Sequence, residues 1–301
     1  MKSQNDGPTG VRERALGCII GGAIGDAIGG PFEGRPAPVQ FKEHTDWSIS
    51  DDSQLTLATC ESIIELNHVS PEHIAQRFVH WYRARRITGM GASTLKALRD
   101  LDAGLHWALA GAKGERSAGN GAAMRVAPIA FHIDPDDAQQ RLLIRDVCRI
   151  THHNEEAYAG ALAVVIAIRS LAFRQSAPMD LLDLVSSQLP DSRVRDRLIE
   201  LAALRNESVA DVAAKFGASG YVVESVPLAL FAARSIEHQT FDDLLRTVIE
   251  AGGDTDTNAS IAGQIAGAWL GAAKISSQMI ELLPETDFVQ QVASDFAKTL
   301  D

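Results

Sequence analysis

Apolar residues recur three and four positions apart along most of this chain, and period-two alternation of strand length is almost absent. The pattern predicts helices over residues 11–29, from the end of 50–53 to about 66, over 71–85, 93–107, 134–151 and 155–173, with a further helix resuming near Ala122. It continues over 179–188, 191–205, 208–216, 222–236, 240–250 and 254–273, and ends in a stretch over 275–300 that splits near Pro284. Prolines and glycines mark the breaks. Pro31 and Gly34 bracket Glu33, residues 35–49 read as irregular, and 111–123 (GAKGERSAGNGAA) reads as the longest flexible stretch. The fold class is all-α. Residues 1–10 read as a loose polar lead-in and 11–301 as a single domain, with no linker and no internal repeat beyond the glycine rows described next.

Two of the predicted helices carry glycine in rows. Gly17, Gly21, Gly25 and Gly29 fall on one side of the first, and Gly263, Gly267 and Gly271 recur in the helix that follows residue 254. Glycine inside a helix costs about 1 kcal/mol relative to alanine, so a whole row needs a reason. Close approach of a second backbone supplies one, and the two rows are expected to face each other in the centre of the fold.

Composition adds little about the fold and more about partners. The 301 residues are 46% hydrophobic and 22% charged, as in an ordinary globular protein. The formal charge of −11 argues against a nucleic-acid binder, which would present a basic face. Cys18, Cys60 and Cys148 are widely spaced in apolar contexts and read as buried free thiols of a reducing compartment. The polar N-terminus does not read as a signal peptide. The apolar run over 16–32 holds Asp26 and many glycines, and reads as a buried helix rather than a membrane span. A cytoplasmic protein without a membrane partner is the expectation, with a monomer favoured over an oligomer.

Five constellations carry candidate chemistry. Residues 252–257 (GGDTDT) place Asp254 and Asp256 around Thr255, beside Thr257, at the start of a buried helix. Residues 50–53 (SDDS) place Asp51 and Asp52 between two hydroxyls at another helix start. Each alone fits an N-cap with acids favouring the helix dipole. Together they are two oxygen-rich clusters of the kind that hard cations such as Mg²⁺ or Mn²⁺ prefer. Glu33, just past the first glycine row, is either a solvated acid or a general base near such ions. Gly119, Asn120 and Gly121 form a turn whose N–H groups suit a phosphate, and which also reads as an ordinary turn. Arg125, one turn on, reads as a partner of an acid or a phosphate, or as a surface ion pair. In 151–153 (THH) the histidines fit helix capping or a substrate hydrogen bond better than a shared metal.

In their order along the chain these motifs resemble the ADP-ribosylglycohydrolase family. The family's glycine-rich opening is similar to 21–34 (GGAIGDAIGGPFEG), and its Thr-Asp-Asp-Thr motif to 50–53, with serine at both ends. Its Gly-Asn-Gly…Met-Arg segment is similar to 119–128 (GNGAAMRVAP), and its Thr-His…Gly-Ala segment to 151–161. Its Gly-Gly-Asp-Thr-Asp-Thr motif is identical to 252–257. The matches span about 17–272.

The resemblance implies a compact orthogonal helical bundle with two divalent cations, Mg²⁺ or Mn²⁺. Ser50, Asp51 and Asp52 would form one ligand set, and Asp254, Asp256 and Thr257 the other. Glu33 would sit by the metals and the attacked bond, with Glu33, Asp51 and Asp256 as the candidate catalytic carboxylates. Gly119, Asn120 and Gly121 would run along the diphosphate, His152 would bound the same cleft, and Tyr158 would face the adenine. The implied activity is hydrolysis of the glycosidic bond at the anomeric carbon of ADP-ribose, on a modified protein or a small molecule. Where many relatives that act on arginine-linked ADP-ribose carry an acid before Ile-Gly, this chain reads Gly89. Two other readings stand beside this one: a non-catalytic relative recruited for structure or binding, and a metal-dependent phosphatase or nucleotide hydrolase using the same centre.

Overall fold

The structure, a computed structural model, describes residues 7–42, 46–204 and 206–300. It is 69% helical with almost no strand, so the all-α expectation holds. The helices are α1 (Gly7–Gly29), α2 (Asp51–Leu66), α3 (Pro71–Arg83), α4 (Ala92–Asp102), α5 (Trp107–Ala110), α6 (Ala138–Arg149), α7 (Glu155–Ala172) and α8 (Leu181–Gln188). They continue with α9 (Arg193–Ala202), α10 (Val209–Phe216), α11 (Val222–Ala233), α12 (Phe241–Glu250), α13 (Thr255–Leu270), α14 (Ser277–Leu282) and α15 (Thr286–Ala297). Most starts are capped by a side chain that accepts a backbone N–H: Ser70 for α3, Asn154 for α7, Ser208 for α10 and Thr240 for α12.

α1 and α13 form the centre, and they run antiparallel. Gly17 meets Gly267 and Gly271, Gly21 meets Gly263, and Gly29 meets Thr255 and Asp256. A Cβ at Gly17, Gly21 or Gly29 would lie 2.5–2.6 Å from a backbone oxygen of α13. That is well inside contact distance, so side chains are excluded and the two backbones touch directly. This is the close approach that the glycine rows predicted. α7, α11 and α12 pack around α13, and nearly every residue of α7 and α11 is buried. Residues 10–32 have the length and mean hydropathy of a membrane span, yet 83% of the stretch is buried inside the protein.

The structure departs from the predicted elements in several places, among them the start of α6, which comes at Ala138 and not at 134. α1 begins at Gly7, ahead of the expected Val11, while residues 1–6 of the expected lead-in lie outside the described residues. The helix expected over 93–107 stops at Asp102, and Trp107 opens the separate short α5. Residues beyond 120 form two 3₁₀ segments, Asn120–Arg125 and Ala127–Phe131, instead of an α-helix, with Pro128 inside the second. The stretch read as flexible is pinned. β1 (Ala112–Lys113) pairs in parallel with β2 (His152–His153), and Asn154 donates to the Gly114 carbonyl.

Candidate active site

The central helix pair ends in chemistry. Because α1 and α13 are antiparallel, the end of α1 lies beside the start of α13. The turn entering α13 uses Gly252 and Gly253 at φ +72° and +79°, a region that glycine enters without penalty. There Gly34 N–H donates to the Gly253 carbonyl and Gly253 N–H to the Arg35 carbonyl. This pairing clamps the loop after α1 onto the loop before α13, and it brings Glu33 to Asp254 and Asp256. One carboxylate oxygen from each of Glu33, Asp254 and Asp256 lies within 4.8 Å of the other two.

The second acidic start is carried by α2. Ser50 caps it in extended backbone, and its hydroxyl accepts from Asp52 N–H. Asp51 N–H donates to the Thr88 carbonyl, and Gln54 binds both Ile49 and Thr88, which fixes the 88–91 loop across the start of the helix. Asp52 accepts from Thr257 at 3.2 Å, so the two distant clusters meet.

Asp26 holds this start in place. From α1 it accepts Ser50 N–H at 2.9 Å, the Ser50 hydroxyl at 2.7 Å, Ser53 N–H at 3.1 Å and the Ser53 hydroxyl. It is fully buried, and its carboxylate lies within 4.8 Å of Asp52 and Asp256. Sequence reasoning assigned Asp26 no role. The available signal was a lone acid in an apolar helix, which must find partners or be expelled.

Most of the expected residues line one cleft of about 310 Å³, and Asp26 and Ser50 are not among those lining it. Glu33, Asp51, Asp52, Asp254, Asp256 and Thr257 form one end, while Gly89, Thr94, Gly119, Gly121, His152 and Gly220 belong to the rest. The acids raise one another's pKa. Asp51 is pushed up to about 7 by burial and by Asp26 and Asp254. Asp256 is pushed up to about 9 by burial, by a side-chain hydrogen bond that its protonated form donates to Asp254, and by the charges of Asp254 and Glu33. Asp52 rises well above the usual carboxylate range by burial, then by Asp26 and Asp256. Glu33 rises through desolvation and the charge of Asp254. Asp52 Oδ1 is buried and has no hydrogen-bond partner. An all-oxygen donor set, a buried lone pair and mutually repelling carboxylates fit divalent hard cations. Ser50 is turned partly away: its hydroxyl is engaged by Asp26 and Asp52.

The 119–121 turn lines the same cleft beside Asp254. Asn120 Nδ2 donates to Asp254 at 2.8 Å, and Asn120 N–H donates to the Gly220 carbonyl at 3.1 Å. The backbone N–H of Asn120 and one N–H of its side-chain amide are therefore already taken. Its side chain fixes Asp254, which makes no capping hydrogen bond to its own helix. His152 packs on Gly119 and Gly121, where a Cβ at Gly121 would lie 2.9 Å from its ring. Thr151 is hydrogen-bonded to His152 Nδ1, and burial holds the imidazole neutral by pulling its pKa down to about 3.

Two expected residues lie elsewhere. Tyr158 is on α7, half-buried against the core, and is not among the residues lining the cleft. Arg125 is neither a phosphate ligand nor a surface ion pair. It is 0% exposed, donates to the Gly121 and Val147 carbonyls and packs over Phe78. The 3₁₀ winding after Asn120 turns it inward, where an α-helix was expected.

A family model described as ADP-ribosylglycohydrolase matches residues 7–301. An uncharacterized protein of Archaeoglobus fulgidus is 29% identical, over 94% of this chain and 96% of the relative. ADP-ribosylhydrolase ARH3 of Gallus gallus is 26% identical, over 91% of this chain and 90% of the relative. ADP-ribosylarginine hydrolase Tri1 of Pseudomonas putida is 24% identical, over 96% and 79%. A solved structure of an ADP-ribosylglycohydrolase-related protein complex superposes with a TM-score of 0.75 at 25% identity, covering 97% of this chain and 100% of that one.

Proposed function

The chain belongs to the ADP-ribosylglycohydrolase family, and from that premise we propose that it is a metal-dependent hydrolase that frees ADP-ribose by cleaving the glycosidic bond at the anomeric carbon. One observation carries the reading: acidic helix starts some two hundred residues apart, on α2 and α13, converge on one cleft and touch through Thr257 and Asp52. Ser50, Asp51 and Asp52 on one side, and Asp254, Asp256 and Thr257 on the other, would hold two Mg²⁺ or Mn²⁺ ions. When bound, such ions supply Lewis-acid polarisation of oxygen ligands and charge compensation for an anionic substrate.

The chain's own residues do the rest. Asn120 and the glycine seam fix Asp254 and Asp256, so the cluster is organised before substrate arrives. Glu33 lies at the open edge of the cleft, with its affinity for a proton raised by desolvation and by Asp254. It is placed to take the proton of an attacking water. His152, held neutral, and the bare backbone of Gly119 and Gly121 give a flat wall for the ADP-ribose chain. Tyr221 pairs its backbone with Gly119, and its hydroxyl accepts from Arg193.

Gly89 bears on the linkage. At φ +78° its missing Cβ would lie 3.2 Å from Ser50 Cβ and 3.4 Å from Asp51 Oδ1, so this position adds no side chain beside Asp51. A guanidinium leaving group meets no added carboxylate there, which supports an oxygen-linked substrate over an arginine-linked one. The test is incubation with Mg²⁺ or Mn²⁺ and peptides ADP-ribosylated at serine or at arginine. The expected result is release of free ADP-ribose, faster from serine, and its loss in excess EDTA. Release of phosphate or AMP would point to the phosphatase reading, and metal binding without turnover to a non-catalytic relative.

A further inference from the structure

The cleft is strongly unbalanced in charge. Five carboxylates line it, from Glu33, Asp51, Asp52, Asp254 and Asp256. Among the described lining residues Arg116 is the one guanidinium, and no lysine joins it. On the proposed function, two divalent cations still leave one negative charge at that wall, while the substrate brings a diphosphate. Repulsion in a partly desolvated cleft is much stronger than in water, so something must offset it.

The 119–121 turn brings only neutral N–H dipoles, and it has already committed Asn120 N–H to Gly220 and one side-chain amide N–H of Asn120 to Asp254. Arg116 is free to act: it is exposed at the rim, with no hydrogen-bond or ion-pair partner among the described residues. It is also well placed. It sits on the 3₁₀ turn Glu115–Ser117, three residues before Gly119. That turn is fixed by β1–β2 pairing, by Asn154 on the Gly114 carbonyl, and by Ser117 N–H on the same carbonyl. The neighbouring Glu115 lies within electrostatic reach of Arg193, which engages Tyr221.

We propose that Arg116 is a specificity-determining residue of this cleft, whose guanidinium meets the diphosphate of the substrate and selects diphosphate-bearing ribosides over uncharged ones. The proposal rests on the ADP-ribose reading of the site. A fork of N–H donors facing phosphate oxygens gives charge-assisted hydrogen bonds, about twice as strong as neutral ones, and the contact forms equally in the ground and transition states. Loss of Arg116 therefore raises KM and leaves kcat in place.

The test uses the full chain in Mg²⁺, with Arg116→Lys, Arg116→Ala and Arg116→Glu. Three quantities are measured: Kd for free ADP-ribose by calorimetry, KM and kcat on an ADP-ribosylated peptide, and Mg²⁺ affinity without substrate. Arg116→Ala is expected to raise Kd and KM together by roughly tenfold, as for one charge-assisted contact at a partly exposed site. Arg116→Glu raises them further, Arg116→Lys only in part, and kcat and Mg²⁺ affinity stay at wild-type values. Wild-type ADP-ribose affinity in Arg116→Glu overturns the inference and leaves the function intact, as does a loss confined to kcat. A wild-type protein that binds Mg²⁺ but not ADP-ribose overturns both.

Discussion

α2 and α12 begin with nearly the same chemistry, and only one of them is part of a site. α12 is capped by Thr240 and carries Asp242 and Asp243 in its first turn, while α2 is capped by Ser50 and carries Asp51 and Asp52. In α12 the pattern is self-contained: Thr240 accepts Asp243 N–H at 3.1 Å, its hydroxyl donates back to Asp243 at 2.7 Å, and both acids are exposed. In α2 the acids are 6% and 1% exposed, and the groups that hold them come from elsewhere: Asp26 on α1, Thr88 before α4 and Thr257 on α13. A capped acidic helix start is thus a motif of local stability until tertiary structure buries it against others of its kind. Burial without a cation then turns the same acids into a liability, visible as their raised pKa.

The sharpest way to break the comparison is to remove one acid from each start. Asp52→Asn and Asp256→Ala are each expected to lower kcat by on the order of 10³-fold or more, in line with losing a group that organises transition-state charge. Asp243→Asn in α12 leaves kcat at the wild-type value. The check is steady-state release of ADP-ribose, with circular dichroism to confirm that all three variants fold. Equal effects at the two helices would erase the distinction.

A subtler contrast tests what sits behind the acids. Asp26 is to α2 what no residue among those described is to α12: a buried acceptor for both serine hydroxyls and both serine N–H groups. Asp26→Asn keeps the shape but offers an amide where a carboxylate oxygen received donors. It is expected to weaken Mg²⁺ binding by roughly 10–100-fold, the usual scale for a group that orients metal ligands. Calorimetric titration of Mg²⁺ into the free protein reads this without any turnover. Unchanged affinity would mean that Asp26 serves only the packing of α1 on α2.

Metal-free protein gives a third contrast, through pH. Asp51 and Asp256 have folded-state values of about 7 and about 9, above the ordinary 3.8. As pH rises past about 4 the unfolded chain releases these protons while the folded chain keeps them, so stability falls with pH until the folded groups also ionise, near pH 7 and pH 9. On the proposed function, divalent cations would replace those protons. Thermal melts in EDTA are expected to show Tm falling between about pH 4 and pH 9. Mg²⁺ restores it, by about 2.7 kcal/mol of stability at a hundred times its Kd. A Tm independent of both pH and Mg²⁺ would contradict the cation reading.

How much of this was legible in the chain follows the same division between local and tertiary. The helices, the glycine seam and the two acidic starts were readable, because periodicity, rows of glycine and caps are local signals. The antiparallel pairing of α1 with α13 was half readable: the rows implied contact, and the resulting placement of Glu33 beside Asp254 needed the fold. Asp26 was not readable as a partner of Ser50 and Ser53, since its four donors come from across a loop. Nor does the sequence reveal that Asn120 spends its backbone N–H on Gly220 and a side-chain N–H on Asp254. Tyr158 and Arg125 were misplaced for one shared reason: helical phase and the 3₁₀ winding after Asn120, not residue type, decide which way a side chain points.

The smallest expected effect closes the comparison from the other side. Thr240→Ala removes the cap of α12, leaving one backbone N–H unpaired at an exposed helix start. The loss is about 1 kcal/mol of stability, as for helix caps in general. Because α12 packs on α13 through its buried face (Phe241, Leu244, Leu245, Val248 and Ile249) and not through its acids, kcat, KM and Mg²⁺ affinity are expected to stay unchanged. A denaturant titration beside a turnover assay measures both. If uncapping α12 lowered Mg²⁺ affinity, its start would be coupled to the cleft through α13, and the two helix starts would differ in degree only. If stability alone moves, the acids of α12 are a cap, and the acids of α2 owe their chemistry to the neighbours that bury them.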